Sequence, residues 1–291
     1  MRRRELPKVI VMNLKVLKET PPWDWPTGTG KMLLGIIRDD RSPEPDRLLA
    51  TELAGDFTVI SDELVEALLS ILRRKDLSDT LRGQAAISLG PVLDHTDTEG
   101  YGEDAQTILI AERTFHTIQA SLHMLYSDAD VPTEVRRRIL EASVRAPQDW
   151  HPEAIRAAYA SPDEAWKLTA VFCMSNVPGF DEQILEGLES ENRDVRYEAV
   201  IAAGTWEVDA AWPQVEAIIT SERVDKSLLL AAIDAVASIR PHEAAETLLD
   251  LSESDDEDIV EAVDEALAMA GGLSDVDYEY EDDDDEEEVI H

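Results

Sequence analysis

Cysteine and aromatic residues are scarce in this 291-residue chain, which has one cysteine and only 5% Phe, Trp and Tyr. A single cysteine excludes an intramolecular disulfide, and Cys173 falls at a predicted core position of a helix, which indicates a small buried side chain. Few aromatics beside abundant Ala and Leu disfavour a β-sandwich or barrel and favour an all-α fold. No stretch approaches the roughly 20 apolar residues that span a bilayer. We therefore expect no membrane association and a cytoplasmic location.

Basic residues are absent from the last 51 positions, where 22 Asp or Glu follow Arg240. These acids carry 22 of the 37 net negative charges. The opening 18 residues are the opposite, with six basic side chains against Glu5 alone. Residues 273–291 cannot build a core because their like charges repel one another, so the sequence predicts a disordered acidic tail. The centre of this tail is a run of aspartates: Asp282, Asp283, Asp284 and Asp285.

A pattern that recurs seven times, mostly at intervals of about 30 residues, predicts a repeat architecture. In six copies an apolar residue is followed by a small or apolar residue four positions later and by a small residue seven positions later. These copies start at Leu81, Val135, Trp166, Val195, Leu228 and Ile259, and a divergent first copy starts near Asp46. Offsets of four and seven lie on one face of a helix, so each copy predicts an amphipathic helix. Most intervals also leave room for a second helix of about a dozen residues.

Residues 79–90 carry the pattern most clearly, with Asp79, Leu81 and Arg82 ahead of the small residues and Gly90 at the end. This segment resembles HEAT repeats, particularly the short bacterial kind also found in phycobilisome-lyase-like proteins. The resemblance covers residues 46–270. It implies an α-α superhelix, a HEAT-like α-solenoid of about seven helical pairs.

The resemblance also implies a structural ladder, in which the basic residue of each copy pairs with an acidic residue of an adjacent repeat. The basic residues are Arg47, Arg82, Arg136, Lys167 and Arg196. Leu229 and Val260 take this place in the last two copies. We therefore expect the ladder to stop before residue 228.

The interruptions of the pattern predict the domain organisation. Residues 1–30 are predicted to be a basic N-terminal segment and a Pro/Trp linker, 31–272 the solenoid, and 273–291 the acidic tail. The long interval between Leu81 and Val135 predicts an inserted polar loop over residues 91–104, followed by a helix over 105–126. Linker and loop offer candidate protein-binding residues: Trp23, Trp25, Asp94, Asp97 and Glu99.

The histidines do not support a catalytic site, because the six of them lie in different repeats or in the tail. Glu112 and His116 are one helical turn apart, but no second motif completes a zinc site. The acids of residues 91–104 do not match the ligand positions of a calcium loop. We expect a protein that is not an enzyme and that has no metal and no cofactor.

The predicted second helices, which line the concave face in HEAT stacks, carry further candidate protein-binding residues: Glu153, Glu182, Glu186, Glu216, Glu243 and Glu246. Such a surface repels phosphate, so we expect no direct nucleic-acid binding by the solenoid. We predict a scaffold or adaptor that holds a basic protein partner along an acidic concave face.

Two alternatives remain open. The resemblance allows a HEAT-type bilin lyase or isomerase. The polyanionic tail alone could act as a nucleic-acid mimic or as a chaperone for a basic protein. The partner's identity and the oligomeric state do not follow from the sequence.

Overall fold

A computed structural model describes residues 13–101, 109–221 and 223–278 of the chain, with side chains to residue 271. The regular structure in these ranges is entirely helical. The α-helices are Leu14–Glu19 (α1), Thr29–Arg38 (α2), Glu44–Leu53 (α3), Asp62–Arg73 (α4), Asp79–Ile87 (α5), Gly90–Glu99 (α6), Glu112–Ser127 (α7), Thr133–Ser143 (α8), His151–Tyr159 (α9), Glu164–Met174 (α10), Asp181–Leu188 (α11), Arg193–Thr205 (α12), Trp212–Ile219 (α13), Lys226–Ile239 (α14), Pro241–Leu248 (α15) and Glu257–Tyr278 (α16). Short 3-10 segments occupy Pro22–Asp24, Asp209–Ala211 and Leu249–Glu253.

The chain divides into two compact units, residues 1–148 and 149–291. In the first unit, the helical pairs are α2/α3, α4/α5 and α7/α8, with α1 packed on α3 and α6 packed on α8. The second unit contains the pairs α9/α10, α11/α12, α13/α14 and α15/α16. The described residues therefore form seven helical pairs. The predicted all-α, HEAT-like α-solenoid is confirmed.

Each pair contributes one helix to a layer that carries the repeat pattern. Helices α3, α5 and α8 contact one another in sequence in the first unit, and α10, α12, α14 and α16 do so in the second. We call these the first helices. The other member of each pair is called the partner helix. Within each pair the partner helix comes earlier in the chain, so the name first helix refers to the repeat pattern and not to chain order. In the second unit the partner helices are α9, α11, α13 and α15.

The repeat pattern predicts the buried stripe of the first helices correctly. All twelve residues at the offsets of four and seven are buried. They are Ala85, Ser88, Ile139, Ala142, Ala170, Cys173, Ala199, Ala202, Ala232, Ala235, Val263 and Ala266. Small side chains let neighbouring helices approach closely, and a β-carbon added to Gly204 would lie only 2.9 Å from Cα of Ala235 on the next first helix.

The predicted polar loop over residues 91–104 is wrong for most of its length, because α6 spans Gly90–Glu99. Pro91 lies in the first turn, where a proline costs no hydrogen bond. Val92, Leu93 and Thr96 are buried on one side of the helix, and their burial stabilises the helix although most of its other side chains are polar. The next helix begins at Glu112 rather than at residue 105. Residues 102–108 lie outside the described part of the chain.

The N-terminal segment and the solenoid boundaries also differ from prediction. The linker predicted up to residue 30 contains the short helix α1, the 3-10 turn Pro22–Asp24 and the start of α2 at Thr29. The predicted array over 31–272, with its inserted loop, is divided in the structure into two compact units, and the division falls between Gln148 and Asp149. No helix among the described residues is both long enough and apolar enough to cross a membrane.

Candidate protein-binding face

The partner helices of the second unit are amphipathic, and their apolar sides fix which residues face outward. On α11, Ile184 and Leu188 are buried against the neighbouring helices while Glu182 and Glu186 are exposed. The same division recurs on α13, where Val215 is buried, and on α15, where Leu248 is buried. The helical period therefore sorts the carboxylates onto the outer surface of each partner helix.

These exposed carboxylates form one set, which we call the acidic face. Its members are Glu153, Asp181, Glu182, Glu186, Glu216, Glu243 and Glu246. The same four helices contain a single Lys or Arg, Arg156. All six glutamates that the sequence predicts for this surface are exposed and belong to these four helices.

The first helices of the second unit have a different charge balance. Helices α10, α12 and α14 together contain four acids and four bases. Helix α16, which continues this layer, has five acids and no base up to residue 271. Among the α-helices of this unit, the excess of acids over bases therefore falls on the partner helices and on α16.

Most carboxylates of the acidic face lack a basic neighbour. Within the described residues, Glu153, Glu182, Glu216 and Glu246 form no ion pair. Glu243 lies 4.0 Å from Nη1 of Arg240, at the limit of an ion pair. Glu216 also interacts electrostatically with Arg240. Glu153, Glu182 and Glu246 are therefore the carboxylates that remain for an external cation to neutralise.

Glu186 has a neutral partner, because the hydroxyl of Tyr159 on α9 donates a hydrogen bond of 2.9 Å to its carboxylate. Burial, followed by the hydrogen bond to Glu186, raises the pKa of Tyr159 above its ordinary value. The tyrosine therefore stays protonated as a donor and links α9 to α11 across the acidic face. Lys167 lies over the other side of this tyrosine, with Nζ 5.2 Å from the ring centre.

The predicted ladder arginines have a role other than pairing between repeats. The guanidinium groups of Arg47 and Arg82 donate to the backbone carbonyls of Ile37 and Leu72, ten positions earlier, at 3.3 and 3.1 Å. These carbonyls belong to the last turn of the partner helix, where backbone acceptors lack intrahelical donors. The nearest carboxylate of each arginine lies within the same helical pair.

The other two arginines of the ladder make neither contact. The Nε atoms of Arg136 and Arg196 are buried without a hydrogen-bond partner. For Arg47 and Arg82, the sequence thus identifies buried guanidinium groups but predicts the wrong acceptor.

A second ladder, which the repeat pattern does not predict, joins the starts of consecutive first helices. A side chain in the first turn of one helix contacts a side chain just before the next, as in Arg193 with Asp225 (2.9 Å) and Lys226 with Asp256 (2.7 Å). Equivalent contacts join Glu44 to Ser78 and Glu164 to Asn192. The signal that could have identified it is a helix-capping residue that lies 28 to 34 positions after the start of the preceding first helix.

The two tryptophans of the N-terminal segment play different parts. The indole N–H of Trp25 donates to the carbonyls of Leu17 and Thr20 at 3.0 and 2.9 Å, so this half-buried ring fixes the segment against α1. Trp23 is 77% exposed. Together they border a cavity of about 660 Å³ that is closed by the starts of α2 and α4. Trp23 is available for contacts with another molecule, and Trp25 is a structural residue.

The remaining candidate residues lie apart from the acidic face in the chain. Asp94 and Asp97 are exposed on α6 of the first unit, and Glu99 is half-buried at its end. The predicted contacts of Asp282, Asp283, Asp284 and Asp285 fall outside the described residues. In the part of the chain that the structure describes, no three His, Cys, Asp or Glu side chains are placed to hold a metal ion.

Residues 182–268, from α11 into α16, match the family model of HEAT repeats. Among solved structures, the X-ray structure of the Escherichia coli protein YibA aligns at 15% identity with a TM-score of 0.47, over 88% of this chain and 85% of that one. Human deoxyhypusine hydroxylase in complex with glycerol aligns at 16% identity and a TM-score of 0.39, over 89% and 96%. No curated protein sequence matches significantly. The chain therefore contains HEAT repeats, assigned over residues 182–268.

Proposed function

We propose that this protein is a non-enzymatic scaffold or adaptor, and that the acidic face of its second unit binds a basic protein partner. The observation that carries the proposal is the set of seven exposed acids against one arginine on α9, α11, α13 and α15. The HEAT-repeat match supports it, because such arrays commonly serve as binding surfaces and the matched residues include three of these four helices. The cytoplasm is the proposed location.

The acids of the face suit a partner that carries several cations. One exposed ion pair contributes only about 0.2–1 kcal/mol, so a single contact does not hold a protein. Seven carboxylates on one surface add their potentials, which accelerates the encounter with a cationic surface and excludes anionic ones. Nucleic acid is excluded as a ligand of this face for the same reason.

The helical layer also restricts the spacing of the partner's cations. The first helices of successive pairs pack directly on one another, and packed helices lie about 8–10 Å apart. We therefore expect the carboxylates of successive pairs to repeat at about that distance. Two turns of an α-helix rise about 11 Å. Suppose that the bound protein presents a helix with Lys or Arg at every seventh residue, lying across α11, α13 and α15. Such a helix would bring one cation to the carboxylates of each of these three helices.

The test compares two charge reversals with equal effects on net charge. Glu216→Lys changes an exposed acid of the acidic face on α13, and Asp234→Lys changes an exposed acid on α14, the first helix of the same pair. The ligand is a labelled helical peptide of about 20 residues with lysine at every seventh position, measured by fluorescence anisotropy. We expect Glu216→Lys to weaken binding about threefold to tenfold, since it removes one pair and adds repulsion.

Asp234→Lys should lower the affinity for the peptide by less than about twofold, because this residue acts on the acidic face only through long-range electrostatics. Raising the salt concentration from about 0.1 M to about 1 M shortens the screening length from about 10 Å to about 3 Å and should abolish most of the affinity. Equal effects of the two substitutions, or binding that is insensitive to salt, would contradict the proposal.

A further inference from the structure

The second unit contains a cavity whose charge is opposite to that of the acidic face. It has a volume of about 350 Å³ and lies among residues of α11, α12, α13 and the start of α14. Three arginines border it, Arg193, Arg196 and Arg223, and Asp225 is its one acidic residue in the described part of the chain. This is a local excess of positive charge in a protein whose net charge is −37.

Arg196, like Arg136, has fewer partners than Arg47 and Arg82, although a buried Nε without a hydrogen-bond partner recurs at Arg47, Arg136 and Arg196. At the matching repeat positions, Arg47 and Arg82 donate to the carbonyls of the partner helix and lie within 4.0 Å of a carboxylate. Arg196 has no such acceptor among the described residues, and its Nε is buried without a hydrogen-bond partner. What distinguishes Arg196 is its place, because it borders this cavity together with Arg193 and Arg223, whereas Arg47 and Arg136 do not.

A second group in the same cavity also lacks a partner. The side-chain oxygen Oε1 of Gln214 on α13 is buried and receives no hydrogen bond. The cavity therefore presents an unused donor, from Arg196, and an unused acceptor, from Gln214. A ligand oxygen and a ligand hydroxyl or bound water would satisfy both.

The other two arginines differ in how far their charge is compensated. Arg193 forms an ion pair with Asp225, with Nη2 2.9 Å from Oδ1. Arg223 is exposed and forms no ion pair within the described residues. Arg196 and Arg223 are thus the two cations of the cavity that are free to bind an anion. The rest of the lining is largely apolar and includes Ile218 and Leu228.

We propose that this cavity binds a small organic oxyanion, a carboxylate or phosphate group attached to an apolar body. The guanidinium of Arg196 binds the oxygens, as arginine does for both groups, and Arg223 closes on them from the exposed side. The apolar body packs against Ile218 and Leu228. The volume is at the lower end of the range of small-molecule sites, about 300–1,000 Å³.

The experiment measures binding of phenyl phosphate, benzoate and inorganic phosphate to the full chain by titration calorimetry. We expect saturable binding of phenyl phosphate or benzoate, and the stronger of the two identifies the preferred anionic group. Inorganic phosphate should bind more weakly because it lacks the apolar body. Arg196→Met, which keeps the volume of the side chain but removes the charge, should weaken binding at least about tenfold.

Arg113→Met is the matched control, because it removes an exposed arginine from α7 in the first unit. It should leave the affinity unchanged, and circular dichroism establishes that both variants fold. No saturable binding of either aromatic anion, or equal affinity in Arg196→Met and the wild type, would overturn the proposal. Inorganic phosphate binding as tightly as phenyl phosphate would overturn the role of the apolar lining. Glu153→Lys changes the acidic face on α9, a helix that does not border this cavity. It should leave the binding of the anion unchanged, so a failure of this site can be distinguished from a failure of the acidic face.

Discussion

Small residues determine how closely neighbouring first helices approach. Gly55 follows α3 and lies against the backbone of Ser88 at the end of α5, where an added β-carbon would be 2.5 Å from the carbonyl oxygen of Ser88. That distance is well below van der Waals contact, and a backbone neighbour cannot rotate away as a side chain can. The glycine is therefore required by the packing of the first two pairs.

We predict that Gly55→Ala lowers the free energy of unfolding by about 2–3 kcal/mol, the cost of overpacking at a backbone contact. Gly35→Ala is the matched control, because Gly35 is exposed within α2 of the same unit and an added β-carbon meets nothing within 4 Å. Alanine in a helix interior should raise stability there by about 0.5–1 kcal/mol. Urea denaturation of both variants measures the difference. A neutral Gly55→Ala would show that the two helices can separate freely.

A second residue-scale prediction concerns acid stability. Glu134 on α8 accepts hydrogen bonds from Nη2 of Arg137 at 2.6 Å and from Nε of Arg138 at 3.2 Å. The bond from Arg137 is the main reason that the pKa of Glu134 lies below its ordinary value of 4.5. A lowered pKa in the folded state stabilises the protein above pH 4.5, and this contribution is lost as the pH falls further.

Glu134→Gln should therefore cost about 0.5–1 kcal/mol at neutral pH, because the carboxylate is half exposed and solvent screens the pair. The difference from the wild type should shrink steadily as the pH falls below 4.5. Thermal unfolding at a series of pH values measures it. A difference that is constant with pH would mean that the charge of Glu134 contributes nothing.

At the scale of elements, the sequence predicts first helices better than anything else in the fold. Their small residues recur at fixed offsets, and all twelve predicted positions are buried. Helix α6 was missed because Asp94, Asp97 and Glu99 outweigh its apolar residues in composition. Val92, Leu93 and Thr96 nevertheless have helical spacing, so periodicity was the better guide than polarity.

The contacts between helix starts could not be predicted as pairs, because they depend on how successive first helices align. Lys226 at the start of α14 is bound to Asp256 at 2.7 Å and to Asp258 at 2.6 Å. Hydrogen bonds to these two carboxylates, Asp256 first, raise the pKa of Lys226, and the same contact lowers that of Asp256. This cluster joins the start of α14 to the beginning of α16.

We predict that Lys226→Met loosens α16 locally. Backbone amides in the first turns of α16 should exchange with solvent faster, because two carboxylates lose their common cation and repel each other. Amides of α12, which does not contact these carboxylates, should exchange as in the wild type. Hydrogen exchange followed by mass spectrometry distinguishes the two helices. Unchanged exchange in α16 would show that the cluster is a surface contact without effect on the fold.

At the scale of the whole molecule, the sequence predicts acidic second helices but not how their charge is divided between units. The partner helices α2, α4 and α7 of the first unit contain four acids and four bases. The acidic face thus belongs to the second unit alone. The sequence suggests this charge asymmetry only along the chain, since which residues share a surface depends on the register of each helix.

The candidate binding residues divide in the same way. The six glutamates of the second unit share the acidic face, whereas Trp23, Asp94 and Asp97 belong to the first unit. The sequence joins them into one mechanism because it predicts a single array over 31–272.

The most direct test of the acidic face is a hydrogen-exchange footprint of the full chain with and without the lysine-repeat peptide. The account predicts slower exchange in α11, α13 and α15 on addition of the peptide, with α10, α12 and α14 unchanged. Protection that is confined to the first unit, or that is equal on the first helices and the partner helices of the second unit, would contradict it.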